Sequence, residues 1–151
     1  MSNAAGGTRP LVPIRDGLLT GDLSRLDQVR LAGSRCASCG ETALGQRSLC
    51  PNCGRETVTP LALGQRGVLW TYTVVRHRPP GNYKGPEPFI PFGLGLVELP
   101  EGLRVMATIE GHVENFKIGQ ALRFRPYVRH DVDRDVVAFS FAATQEGSAH
   151  V

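Results

Sequence analysis

The sequence predicts a mainly β chain: a short N-terminal helix, then a four-cysteine ribbon, then a small closed barrel of five strands. Three observations carry this. Two Cys-x-x-Cys-Gly knuckles lie ten residues apart. From Gly67 onward the chain breaks into five short runs of alternating apolar and polar or β-branched residues. And 18 Gly with 11 Pro in 151 residues favour turns and short strands over long helices.

Each element follows in order. Residues 1–15 read as a flexible N-terminus. Residues 16–33 read as a helical segment, because Leu19, Leu23, Leu26 and Arg30 recur at helical spacing and the three leucines form a narrow apolar stripe. Gly17 and Gly21 shorten that helix, at its least to Asp22–Val29. Residues 34–62 form the ribbon, and residues 63–143 the barrel. Its first strand runs through Val68, Trp70, Tyr72 and Val74, with Trp70 and Tyr72 expected in the core. Five prolines between His77 and Pro91 exclude a helix or a central strand there. Phe92–Leu99 is the second strand, with Gly93 and Gly95 marking a bend or bulge. Leu103–Glu110 is the third and pairs with the second as a hairpin. Leu122–Arg125 and Val136–Ala142 complete the set, and residues 144–151 are a flexible tail. Five strands in about 75 residues suit a closed Greek-key barrel of the OB type better than a sandwich, which needs about seven.

Composition removes several classes. A hydrophobic content of 41% and a charged content of 21% exclude a disordered chain. No apolar run reaches the roughly 18–20 residues of a membrane span, so no membrane association is expected. Met1–Pro13 has no apolar core, so it does not read as a signal peptide, and a cytoplasmic location is expected. The net charge is +3, with 15 of the 17 basic residues being Arg. That permits an anionic ligand without demanding nucleic acid.

The cysteines carry the clearest chemistry. Cys36-Ala-Ser-Cys39-Gly and Cys50-Pro-Asn-Cys53-Gly are two tight turns, each able to present two thiolates. Two such turns facing each other supply the tetrahedral sulfur set that Zn²⁺ prefers. With four protein ligands the site is structural and leaves no position for a catalytic water. Iron–sulfur ligation needs the same four thiolates and stays open. Two disulfides need an oxidising compartment, for which no secretory signal speaks. A redox-active pair does not explain two symmetric copies.

Catalysis by the chain alone lacks its parts. Thiolase-type chemistry needs a free thiolate beside a base, and all four cysteines are assigned to metal. His77, His112, His130 and His150 fall in a loop, a turn, a strand end and the tail, each read as solvated. No nucleophile elbow, P-loop or dinucleotide fingerprint is present.

The cysteine knuckles are followed by Gly67-Val-Leu-Trp-Thr-Tyr-Thr-Val-Val, then Pro91-Phe-Gly-Leu-Gly-Leu-Val-Glu-Leu, Glu101-Gly-Leu-Arg-Val and Phe116-Lys-Ile-Gly-Gln-Ala-Leu. In that order they resemble the DUF35 family, over roughly Gly17–Phe141. The chain departs from the family pattern at Thr71, where a small Ser is common, and in a longer Pro-rich segment. The resemblance implies a zinc-ribbon part plus an OB-fold. It also implies a non-catalytic accessory subunit that scaffolds a thiolase-fold acyl-CoA enzyme and helps to bind its CoA substrate. That enzyme is a thiolase, a hydroxymethylglutaryl-CoA-synthase-like protein or a lipid-transfer-protein-like aldolase.

Coenzyme A carries phosphates and an adenine, which Arg or Lys and an aromatic face suit. Arg76, Arg78, Tyr83, Lys84, Phe89 and Phe92 gather these groups around the Pro-rich loop, and Arg123 with Arg125 forms a second basic pair. The aromatics serve equally as interface anchors. The competing reading is a zinc-ribbon/OB-fold module for nucleic acid. It asks for a pI well above 9, and this chain has a pI near 8.9.

Overall fold

A computed structural model of the chain describes residues 9–144. They cluster into two compact units, one built on residues up to Leu63 with Pro126–Phe139, the other on Gly64–Arg125 with residues from Ser140 on.

The first unit contains β1 (Leu11–Pro13), β2 (Leu19–Thr20), a 3₁₀ turn (Leu26–Gln28), β3 (Arg30–Cys36), β4 (Thr42–Leu44) and β5 (Val58–Ala62). β3 is its hub and pairs antiparallel with β2, β4 and β5. Leu31, Ala32, Ser34 and Cys36 of β3 are buried, together with Leu19, Val29 and Leu63. Gly33 is required there: a Cβ would stand 2.7 Å from Leu63 Cδ2.

The helix expected over 16–33 does not form. Leu19 lies directly opposite Leu31 across the β2–β3 pair, and one 3₁₀ turn is all the helix that remains. Gly17 and Gly21 take positive φ, at 79° and 98°, and a Cβ at Gly21 would meet the Gln28 carbonyl oxygen at 2.3 Å. Asp22 then accepts from the Ser24 N–H at 3.0 Å and the Ser24 hydroxyl at 2.7 Å. Such a local turn competes with helix formation.

The N-terminal stretch is also more ordered than expected where it is described. β1 pairs in parallel with residues 135–137. The Arg9 guanidinium donates to the Asp135 carboxylate at 2.9 Å and to the carbonyls of Asp131, Val132 and Arg134. Thr144 is buried and donates its N–H to the Ala121 carbonyl at 3.3 Å, so the end of the barrel is held there. The rest of the flexible segments expected at 1–15 and 144–151, residues 1–8 and 145–151, lies outside the described residues.

The barrel strands are β6 (Arg66–Val75), β7 (Phe92–Glu98), β8 (Arg104–Ile109), β9 (Ala121–His130) and β10 (Asp135–Ala143), with a 3₁₀ turn at Val113–Asn115. Their order is β10-β8-β7-β6-β9, and a β9–β10 pairing closes the ring. β8 and β10 are parallel at Ile109 and Phe141, whereas β6–β7, β7–β8 and β6–β9 are antiparallel. This is a closed five-stranded OB barrel. Within the second unit, Leu69, Val97, Val105, Ile109, Leu122, Phe124 and Phe141 point inward and are buried.

The bend or bulge expected at Gly93 and Gly95 is absent from β7. β7 is regular from Phe92 to Glu98, and the register shift falls in β6 between Leu69 and Thr71. The glycines answer to packing instead. A Cβ on Gly93 would be 2.1 Å from Phe116 Cε2, and one on Gly95 would be 2.8 Å from Leu69 Cδ1.

Candidate functional site

The four cysteines converge. Cys36 ends β3, Cys39 follows on the same turn, and Cys50 and Cys53 lie on the second knuckle. The two knuckles repeat one hydrogen-bond pattern. Gly40 N–H donates to the Cys36 carbonyl and Gly54 N–H to the Cys50 carbonyl, both at 2.9 Å. Cys36 N–H donates to the Glu41 carbonyl and Cys50 N–H to the Arg55 carbonyl, also at 2.9 Å. Gly40 and Gly54 hold φ of 80° and 78° with no atom within 4 Å of a virtual Cβ, so backbone geometry alone selects glycine here.

All four sulfurs lie within 4.8 Å of one another. Cys36 and Cys53 Sγ are 3.7 Å apart, and Cys39 and Cys50 Sγ 3.6 Å. A disulfide needs about 2.05 Å. Tetrahedral zinc with Zn–S bonds of about 2.3 Å puts its sulfurs about 3.8 Å apart, which this cluster fits. Donors also point at the sulfurs. Asn52 and Cys53 N–H reach Cys50 Sγ at 3.3 and 3.4 Å, and Asn52 Nδ2 reaches Cys39 Sγ at 3.6 Å. The Thr57 hydroxyl beside Cys36 Sγ lowers that thiol to about 6, and the Asn52 amide lowers Cys39. At Cys53 the Arg55 N–H favours the thiolate, but burial and the neighbouring sulfurs outweigh it and push the thiol up to about 11. Crowded sulfurs cannot all ionise without a cation among them.

The Pro-rich segment connects β6 to β7, the first two strands of the barrel. In OB-folds that connection and the face of the second and third strands carry ligand contacts. Four of the six residues singled out there come together. The Tyr83 ring stacks against Phe92 at 6.2 Å and meets Phe89 at 5.8 Å, and Phe89 meets Phe92 at 6.2 Å. The Arg78 guanidinium lies over Tyr83 at 5.5 Å and is ion-paired with Glu87. Arg76 and Lys84 are exposed. The aromatics thus hold one another as a small cluster inside the loop, and the Arg78 charge is met within it. Of the second basic pair, Arg125 lies 3.9 Å from Glu110, and Arg123 is exposed directly opposite Arg66.

Trp70 corrects the sequence expectation. It is 44% exposed rather than core, on the same side as Val68, and the one-residue shift in β6 reverses the phase beyond it so that Tyr72 turns in. A bulge re-aims the side chains beside it. Tyr72 does pack inward. It meets Phe116 edge-on at 5.4 Å, and its hydroxyl donates to the Phe116 carbonyl at 3.4 Å. The Arg104 guanidinium covers Trp70 at 3.9 Å. Nothing in the alternation distinguishes the two residues, since both phases of β6 carry apolar side chains.

A four-cysteine cluster able to hold a metal ion, followed in the chain by a closed OB barrel, defines the class: a ribbon-plus-OB protein. Comparison with known proteins narrows this. The family model described as the C-terminal OB-fold domain of ChsH2 matches residues 61–125. A DUF35 domain-containing scaffold protein of Methanocaldococcus jannaschii is 30% identical over 115 residues, covering 74% of this chain and 78% of that protein. The benzoylsuccinyl-CoA thiolase subunit BbsA of Thauera aromatica is 32% identical over 88 residues, 58% of this chain and 56% of that subunit. A solved structure titled Ltp2-ChsH2(DUF35) aldolase superposes with a TM-score of 0.59 at 25% identity, over 76% of this chain and 84% of that one. The chain belongs to the DUF35 family. Among the described residues no helix is long and apolar enough to cross a membrane.

Proposed function

We propose that this chain is a non-catalytic accessory subunit of a thiolase-fold acyl-CoA enzyme, scaffolding its partner and helping to bind the CoA substrate. One observation carries the non-catalytic part: all four cysteines of the chain are drawn into a single cluster, which leaves no thiol for acyl transfer. Relatives named as a scaffold protein and as a thiolase subunit support the partner class. In this reading Cys36, Cys39, Cys50 and Cys53 hold one structural zinc. Four thiolates need a reducing compartment, so the proposed location is the cytoplasm.

The loop from His77 to Pro91 lies against the partner near its CoA channel. Its prolines reduce the entropy lost on ordering. The Tyr83–Phe89–Phe92 cluster stiffens it and presents an aromatic surface to the adenine or to the partner. Arg76, Arg78 and Lys84 bring positive charge to the phosphates, with Arg78 already balanced by Glu87.

The test replaces Arg78 through Phe89 with a short Gly/Ser linker and measures complex formation and substrate KM separately. Loss of either with zinc retained supports the loop's role. Wild-type values of both show a passive connector. The purified chain alone is expected to turn over no acyl-CoA, and turnover at the rate of the complex overturns the accessory reading.

A further inference from the structure

Resting on the reading of this chain as a partner-bound subunit, we infer that the outer face of β6–β7–β8 docks the thiolase-fold partner, with Trp70 and Met106 as its apolar anchors. Directly opposed residues of a sheet share a side. The register therefore puts Val68, Glu98 and Arg104 in one outward row and Thr71, Leu96 and Met106 in the next. Val68 is 41% exposed, Trp70 44% and Met106 63%, and Leu96 between them is half-buried. Single exposed apolar residues are ordinary, but a contiguous set on a rigid sheet marks an interaction surface.

Trp70 is already held in place. Arg104 lies over its ring at 3.9 Å, and Glu98 holds Arg104 at 3.3 Å. An aromatic side chain fixed before binding loses little entropy when it docks, which is the character of an interface anchor. Next to it the face opens into an apolar-lined hollow of about 550 Å³ between Arg66, Val68, Leu99, Pro100 and Ala121. The hollow is large enough for a protruding apolar side chain of the partner.

Charge selects among occupants. Arg123 is exposed on β9, directly opposite Arg66 of β6, and Glu98 ion-pairs with Arg104. The flank of the face is therefore positive, and it fits a partner surface with an apolar centre and acidic residues at its rim. A second copy fits poorly. A two-fold contact through this face brings its positive flank against a face whose Glu98 is already ion-paired with Arg104. Single-stranded nucleic acid fits poorly as well, because the face sets the Glu98 carboxylate in the row between Val68 and Arg104.

The experiment isolates the thiolase-fold protein that the full chain binds in its own cells, identifies it by mass spectrometry and re-expresses it pure. Its affinity is then measured for the wild-type chain and for Trp70→Ala, Met106→Glu and Arg123→Glu. Each substitution is expected to weaken binding at least tenfold while zinc content stays at the wild-type level. Met106→Glu, at the most exposed of these positions, is also expected to keep the melting temperature. Wild-type affinity in Met106→Glu and Trp70→Ala overturns this inference and leaves the subunit reading standing. A wild-type chain that binds no thiolase-fold protein overturns the subunit reading and this inference with it. Self-association or oligonucleotide binding that Met106→Glu abolishes overturns the choice of occupant.

Discussion

Gly93 is the second residue of β7, and replacing it by alanine separates two opposing effects. Alanine in a strand is favoured over glycine by about 0.5–1 kcal/mol, because less backbone entropy is lost. Against this, the new methyl would lie 2.1 Å from Phe116 Cε2, 2.9 Å from Cζ and 3.0 Å from Cδ2. The ring must move by more than an ångström to reach ordinary contact, yet it is only 8% exposed and is braced edge-on by Tyr72. Overpacking of this kind costs about 1–3 kcal/mol. Losing the Tyr72 edge contact adds about 0.5–1.5 kcal/mol. The clash outweighs the entropy gain, and a net loss of roughly 1–3 kcal/mol is expected. For a chain of this length that lowers Tm by roughly 3–10 °C. The assay is a thermal and urea melt of Gly93→Ala in the wild-type and Phe116→Leu backgrounds. The smaller leucine leaves room for the methyl, so the cost should shrink there, and the two substitutions should be non-additive. An unchanged or raised Tm in Gly93→Ala, or the same cost in both backgrounds, refutes the packing account.

Three further outcomes are expected. Metal analysis should find one zinc per wild-type chain and none in Cys50→Ser, whose knuckle amides, Gly54 N–H among them, should lose hydrogen-exchange protection, because metal binding there is folding energy. His130, and with it Arg9, holds the Asp135 carboxyl below its ordinary value. Its stabilising contribution is therefore complete above the unfolded value of about 3.9 and is lost as pH falls through the lower folded one. The protection factor of the Ile14 N–H, bonded to the Val137 carbonyl at 2.9 Å, should fall in acid, and Asp135→Asn should show the same loss of protection at neutral pH. Phe141→Ala removes a fully buried ring packed at 5.8 Å against Phe124 and should cost about 3–5 kcal/mol in a urea melt.

The ribbon and the barrel strands were legible because their signals are local. A Cys-x-x-Cys-Gly knuckle states its own turn, and the strands Val68–Val75, Phe92–Leu99 and Leu103–Glu110 carry their period within a few residues. So do the hairpin between the second and third strands and the proline loop after the first. The helix over 16–33 failed because its leucine stripe is compatible with two structures. Gly17, Gly21 and the Asp22 turn decided for the strand pair, and Leu31 as the partner of Leu19 is not readable from spacing.

What was readable along the chain was the list of parts: two cysteine knuckles of metal-ligand spacing and a five-strand barrel. Tertiary structure decided which side chains face outward. Gly93 reads as a bend or bulge until Phe116 is seen over it, and Trp70 and Tyr72 read as one face until the register shift in β6 leaves Trp70 outside beneath Arg104 and turns Tyr72 in. The physical reason is common to both. A strand's period of two assigns residues to alternate faces, but which face is buried, and where one extra residue reverses the phase, depends on neighbours distant in the chain.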